Sequence, residues 1–121
     1  KPILATGRVG TKALVRHLRD GGIISILLDE KYLEGVRIPF LGHDAYTSLS
    51  AAQLALKYDL PMIAAYGIRT EDGNAFRVEF EAPIPHTDAI TMTRAFNDSL
   101  SARIMANPEQ WYWMLRRWDG V

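Results

Sequence analysis

Apolar residues recur along this chain with two periods. From Thr11 to Asp20 (TKALVRHLRD), Leu14, Val15 and Leu18 fall on one side and Lys12, Arg16 and Arg19 on another, which is the spacing of an amphipathic helix. Gly21-Gly22 follows, where glycine closes helices because it takes up left-handed backbone without a Cβ penalty. Ile23 to Leu28, interrupted only by Ser25, predicts a strand buried on both faces that stops at Asp29-Glu30. A long loop is expected from there to Tyr46. Thr47 or Ser48 is placed to cap a second helix with Leu49, Ala52, Ala55 and Leu56 buried. Met62 to Ile68 is a second apolar run suited to a central strand, with Arg69 at its carboxyl end. Glu71-Asp72-Gly73-Asn74 is turn chemistry, after which Phe76, Val78 and Phe80 alternate with Arg77, Glu79 and Glu81, a hairpin whose second strand has one wet face. The prolines of Ala82 to Thr87 break regular structure. Asp88 to Ala106 then carries Met92, Phe96, Leu100 and Ile104 at successive i+4 positions, a helix of about five turns. Asn107-Pro108 ends it and starts another, running into PEQWYWMLRRW.

The order helix, strand, helix, strand, strand, helix, helix predicts a small α/β layer of about three strands and four helices. Its first two strands are expected to be parallel and joined by a right-handed crossover. At 121 residues the chain suits one domain, 1–121, and is too short for two. Charges balance, 14 basic against 14 acidic, which leaves no general attraction for nucleic acid. The first twenty residues nevertheless hold Lys1, Arg8, Lys12, Arg16 and Arg19 against Asp20 alone, a locally basic edge. There is no cysteine, hence no disulfide and no thiolate metal site. No apolar stretch approaches the roughly 20 residues of a membrane span, and no signal peptide opens the chain. It begins KPILATGRVG, without an initiator methionine, and reads as a domain cut from a longer polypeptide. An unpaired sheet edge in such a piece would favour self-association.

Candidate chemistry concentrates where the first apolar run ends. In open α/β sheets ligands bind beyond the carboxyl ends of the strands, which is where Asp29 and Glu30 stand. They either meet a substrate there or end a strand as solvated acids. Arg69, at the end of the expected neighbouring strand, would form an ion pair with them or hold a phosphate. His17, His43 and His86 are far apart, and none has metal-ligand spacing, so no metal and no cofactor is expected. His43 beside Asp44 has the parts of an oriented general base, although adjacent side chains point apart. There is no Gly-x-Ser-x-Gly elbow, Walker loop or Gly-x-Gly-x-x-Gly. Lys12, Arg16 and Arg19 suit either solvent or anionic headgroups at a membrane surface. Trp111, Trp113 and Trp118 cannot share one helix face; core packing is expected for two of them, with Arg116 and Arg117 at an interface.

Several of these pieces, taken in order, resemble one family. Asp29-Glu30, then Gly35-Val36-Arg37-Ile38-Pro39-Phe40-Leu41-Gly42, the small-residue stretch Thr47 to Tyr58, Leu60-Pro61-Met62-Ile63, and Pro108-Glu109-Gln110-Trp111-Tyr112-Trp113 with Arg116-Arg117 are similar to the second half of the lauroyl/myristoyl acyltransferases of lipid A biosynthesis. That family lies in the lysophospholipid acyltransferase superfamily, and the likeness covers nearly everything from Gly22 onward. It implies part of a glycerol-phosphate-acyltransferase-like layer and a membrane-surface enzyme at the cytoplasmic face of the bacterial inner membrane. The enzyme would move a fatty acyl chain from an acyl carrier protein thioester to a hydroxyl of a lipid A precursor. The family's catalytic histidine is followed five positions later by Asp or Glu, whereas His17, His43 and His86 have Gly22, Ser48 and Thr91 there. The resemblance therefore implies an inactive fragment, with Asp29 and Glu30 as its catalytic candidates and Arg69, Arg116 and Arg117 as substrate-binding ones. Two alternatives stand beside it: a mannoside or phospholipid acyltransferase using acyl coenzyme A, and a non-catalytic module that binds an anionic lipid or a protein.

Overall fold

The computed structural model describes residues 7–120 of the chain, with side chains from residue 10 onward, so Lys1 and the Arg8 side chain of the basic edge lie outside the described residues. Its elements are α1 (Gly7–Arg19), β1 (Val36–Phe40), β2 (His43–Thr47), α2 (Ser50–Tyr58), β3 (Ala65–Arg69), β4 (Phe76–Phe80) and α3 (Ala89–Ala106). Two short 3₁₀ turns, Pro108–Gln110 and Trp113–Leu115, follow. The fold is mixed α/β, but its sheets are two separate antiparallel hairpins, β1-β2 and β3-β4. The expected parallel pair and its crossover are not formed.

The difference begins at Ile23 to Leu28. No strand pairs with this segment among the described residues, and its burial alternates: Leu28 is buried, Ile24 and Ile26 are half-buried, and Ile23 and Leu27 are 90% and 75% exposed. One side packs with Ala52, Ala55, Met62 and Met92 while the other faces solvent. The run is therefore covered on one face only, and hydrophobicity alone could not reveal the lack of a neighbour.

The loop expected up to Tyr46 instead contains β1 and β2, with Val36 opposite Thr47 and Phe40 opposite His43. Leu41 (φ 49°) and Gly42 (φ 82°) connect them, positive at both central positions as tight hairpins require for their twist. Leucine there is uncommon because its Cβ crowds the left-handed region. α3 helps hold the turn, since Leu41 N donates to Ser101 Oγ at 3.2 Å. Ile38 and Phe40 point into the core while Arg37 and Pro39 point out.

α2 begins one or two residues later than expected, after Leu49, and without a side-chain cap from Thr47, which is wholly buried and committed elsewhere. Ser48 Oγ instead accepts from Ser50 N at 3.2 Å. Ala52 and Ala55 are its buried residues. α3 matches its pattern: Met92, Leu100 and Ile104 are buried and Phe96 is half-buried. Asp88 caps it, its carboxylate accepting from Ile90 N and Thr91 N at 3.0 and 2.9 Å.

β3 and β4 pair as the turn chemistry predicts, Ala65 opposite Phe80 and Arg69 opposite Phe76. On β4 the faces are the reverse of what hydrophobicity suggests. Phe76, Val78 and Phe80 are exposed, whereas Glu79 and the following Glu81 are half-buried on the side of α3. Ion pairing explains the inversion: Arg103 on α3 binds Glu79 and, at 3.0 Å, Glu81, and Ser99 Oγ donates to Glu81 at 2.6 Å. Tyr66 OH donates to Ser99 at 2.9 Å and extends the network. Hydrogen bonds from Arg77 and the charge of Arg103 hold the Glu79 carboxyl below its ordinary value, and Ser99 with Arg103 does the same for Glu81. A carboxylate with a depressed folded pKa stabilises the fold above its unfolded value and loses that contribution as pH falls through the folded one. Acidification below the ordinary carboxyl value of 4.5 is thus expected to loosen the β3-β4 hairpin from α3. Loss of the Tyr66 near-ultraviolet dichroism ahead of the far-ultraviolet helix signal is the measurement that checks it.

Candidate functional site

Asp29 and Glu30 stand where the one-sided apolar segment gives way to the loop 29–35, Asp29 half-buried and Glu30 exposed. Three contacts seat this loop. Tyr32 N donates to Tyr46 O at 3.4 Å, Lys31 Nζ lies 3.7 Å from Asp119 Oδ2, and Gly35 sits against Thr47. A Cβ added at Gly35 would lie 2.2 Å from the Thr47 carbonyl oxygen, so the loop closes on β2 only because this residue has no side chain. Within the loop, Gly35 N donates to Tyr32 O at 2.8 Å. Tyr32 OH donates to Glu34 at 3.2 Å, and this bond with the Glu34 charge raises the Tyr32 pKa.

Beneath the loop is a buried polar network. Arg117, 1% exposed, donates from Nη1 to Tyr46 O at 2.6 Å and from Nη2 to Thr47 Oγ1 at 2.7 Å. Its guanidinium lies over the Phe40 ring, 5.2 Å from the centroid. Asn97 of α3, wholly buried, donates to Pro39 O at 3.2 Å and to Thr47 Oγ1 at 3.4 Å. Arg117 Nε and Asn97 Oδ1 have no hydrogen-bond partner among the described residues. Burial pushes the Arg117 pKa down, and the charge of Asp29 opposes that shift.

The remaining candidates lie apart from this pair. Arg69 N donates to Gln110 Oε1 at 2.8 Å, and its guanidinium covers the Phe76 ring at 4.7 Å. Among the described residues Arg69 forms no ion pair, with Asp29, Glu30 or any other acid. Arg116 is exposed, in left-handed backbone (φ 48°), and 4.0 Å from Asp119. Adjacent in sequence, Arg116 and Arg117 thus have opposite environments. Two of the three tryptophans pack as expected: Trp118 stacks on Phe40 at 5.5 Å, Trp111 tilts against it at 5.8 Å, and Trp113 is 50% exposed.

His43 projects from the start of β2 beside an open groove of about 560 Å³ lined by Leu41, Ser101, Met105, Trp113 and Trp118. His17 is occupied by the Ile23 carbonyl at 3.2 Å, and His86 by the Leu60 carbonyl at 2.9 Å and by Asp59. On α1, Lys12, Arg16 and Arg19 line a second groove, of about 400 Å³, and none of the three makes an ion pair among the described residues. No group of metal-ligating side chains is assembled among the described residues, and no helix there is long and apolar enough to cross a membrane.

The Thr47–Asn97–Arg117 network is the feature that sequence reasoning missed. One signal pointed to it: Asn97 follows Phe96 inside the apolar stripe of α3, where a polar amide is buried only if it has partners.

A family model described as bacterial lipid A biosynthesis acyltransferase matches residues 5–119. No curated protein matches the chain significantly.

Proposed function

The chain belongs to the bacterial lipid A biosynthesis acyltransferase family, and from that membership we propose that it forms the carboxyl-terminal part of an O-acyltransferase working at the cytoplasmic face of the inner membrane. The enzyme takes a fatty acyl chain from an acyl carrier protein thioester and places it on a hydroxyl of a lipid A precursor. The observation that carries this reading is the extent of the match, which includes Asp29, Glu30, the β1-β2 hairpin, α3 and the tail through Asp119, all the parts that seat the acidic loop.

In this reading the acceptor hydroxyl oxygen attacks the thioester carbonyl carbon. A histidine removes the hydroxyl proton, the carbon–sulfur bond breaks, and the proton returns to the departing thiolate. That histidine belongs to the His-x-x-x-x-Asp/Glu motif contributed by the rest of the polypeptide. Asp29 and Glu30 form one wall of the site, and Arg69 and Arg116 are the cations left to meet acceptor phosphates. The apolar residues and exposed aromatics of the tail suit the lipid-water boundary.

The intact enzyme, given a radiolabelled acyl carrier protein thioester and a lipid A precursor, is expected to yield a base-labile ester, with acyl coenzyme A a poor competitor. Transfer from coenzyme A to a phospholipid or mannoside alone would assign the other donor and acceptor. No transfer from either donor would leave a binding module. The purified 121 residues alone are expected to transfer nothing, and turnover by them would place the base within this chain.

A further inference from the structure

The loop that carries Asp29 and Glu30 has few attachments, and they converge. Tyr32 N donates to the carbonyl oxygen of Tyr46, and Gly35 rests on the carbonyl of Thr47. The same two residues are gripped from the other side by Arg117, through Tyr46 O at 2.6 Å and Thr47 Oγ1 at 2.7 Å. The third attachment, Lys31 to Asp119, also ends on the tail, two residues beyond Arg117. Tyr46 O thus accepts from the loop and from the tail together.

Resting on the acyl-transfer reading, we propose that Arg117 is a positioning residue: by bridging Tyr46 and Thr47 it locks the seat of loop 29–35 and thereby sets where Asp29 and Glu30 stand in the site. The chemistry of the group fits this task. Guanidinium is a planar fork that serves two acceptors at fixed angles, which an ammonium cannot do. It is wedged over Phe40 and 1% exposed, and each terminal nitrogen gives one hydrogen bond to the fold, to Tyr46 or to Thr47, which leaves the group little surface for a ligand. A buried cation with no carboxylate bonded to it among the described residues is a costly choice for stability alone, and an apolar side chain would fill the same space. The cost is intelligible where the geometry of the loop matters, and where the Asp29 charge opposes the effect of burial.

The test uses the complete polypeptide with Arg117→Met, Arg117→Lys and Thr47→Val, and reads backbone amide exchange alongside kcat and KM. Arg117→Met is expected to speed exchange in residues 29–35 by about tenfold or more while α3 keeps its protection, since bonds to a charged donor are lost locally. kcat is expected to fall with the acceptor KM nearly constant, and Arg117→Lys to recover only part of both effects. Should Arg117→Met fail to fold, Thr47→Val removes one of the two acceptors and carries the same expectation. Unchanged exchange in 29–35, or acceleration spread evenly over the chain, overturns the proposal. So does a raised KM with exchange unaltered, which would make Arg117 a ligand contact. No acyl transfer by the unaltered polypeptide would overturn the acyl-transfer reading instead, and exchange in 29–35 would still decide whether Arg117 holds the loop.

Discussion

Phe40→Ala is expected to lower the unfolding free energy of the chain by about 3–5 kcal/mol, the range for deleting a fully enclosed aromatic ring. Phe40 is 1% exposed and is the hub on which separate elements meet. Trp118 stacks on one side, Trp111 tilts against it, Arg117 lies over it, and Ala45, Ala64, Tyr66, Leu100 and Ile104 complete the cluster. Removing the ring leaves a cavity between the hairpin and the tail that stiff neighbours cannot close, because Trp118 Nε1 is tied to the Phe40 carbonyl at 3.2 Å. A loss of that size is a large share of the roughly 5–15 kcal/mol available to a domain. Chemical denaturation should show a lower midpoint with an unchanged slope. Met114→Ala, on a side chain 73% exposed in the same tail, is expected to stay within about 0.5 kcal/mol. Similar losses for the two would contradict the enclosure of Phe40.

Phe40 also marks how far the fold was legible before the structure. Its neighbours in the run Ile38-Pro39-Phe40-Leu41 read as a rigid apolar loop because Pro39 cannot donate to a ladder and no Asn-Gly or Asp-Gly announces a turn. The hairpin forms because Pro39 points outward and Leu41 accepts a positive φ. α1 and α3 were legible because a 3.6 period over ten or more residues has few competing explanations. Ile23 to Leu28 was not, since an apolar run states what can be buried and not which neighbour arrives to bury it. β4 misled for the opposite reason. Its charged face is drawn inward by Arg103, a partner on a helix over twenty residues away that no local period encodes.

The site divides along the same line. Asp29 and Glu30 were singled out as candidates by position, as acids closing an apolar run, and the ordered motifs from Gly35 to Trp113 pointed to the family. The support beneath the acids was not found, because it joins residues 47, 97 and 117, whose proximity exists only once α3 and the tail have folded over the hairpin. Arg117 looked like Arg116 in sequence. Only the left-handed turn at Arg116 separates them, sending one side chain to solvent and the next into the core.

That asymmetry shapes the expected outcome for the two acids. Asp29→Asn in the intact enzyme is expected to reduce kcat about a hundredfold or more, the scale of a group that takes part in proton transfer or orients one that does. Glu30→Gln is expected to cost much less. Asp29 is half-buried, whereas Glu30 is exposed and makes no hydrogen bond or ion pair among the described residues. Asparagine keeps the shape of Asp29 and removes only the charge, and Asp29 makes no hydrogen bond or close ion pair among the described residues. The stability change should therefore be small beside the rate change, limited to the weak compensation that Arg117 loses. Matched melting temperatures with a collapsed kcat would place Asp29 in the chemistry. Full turnover in both variants would reduce the acids to a solvated strand end, and equal losses in both would show that total negative charge, not the placement of Asp29, is what the reaction uses.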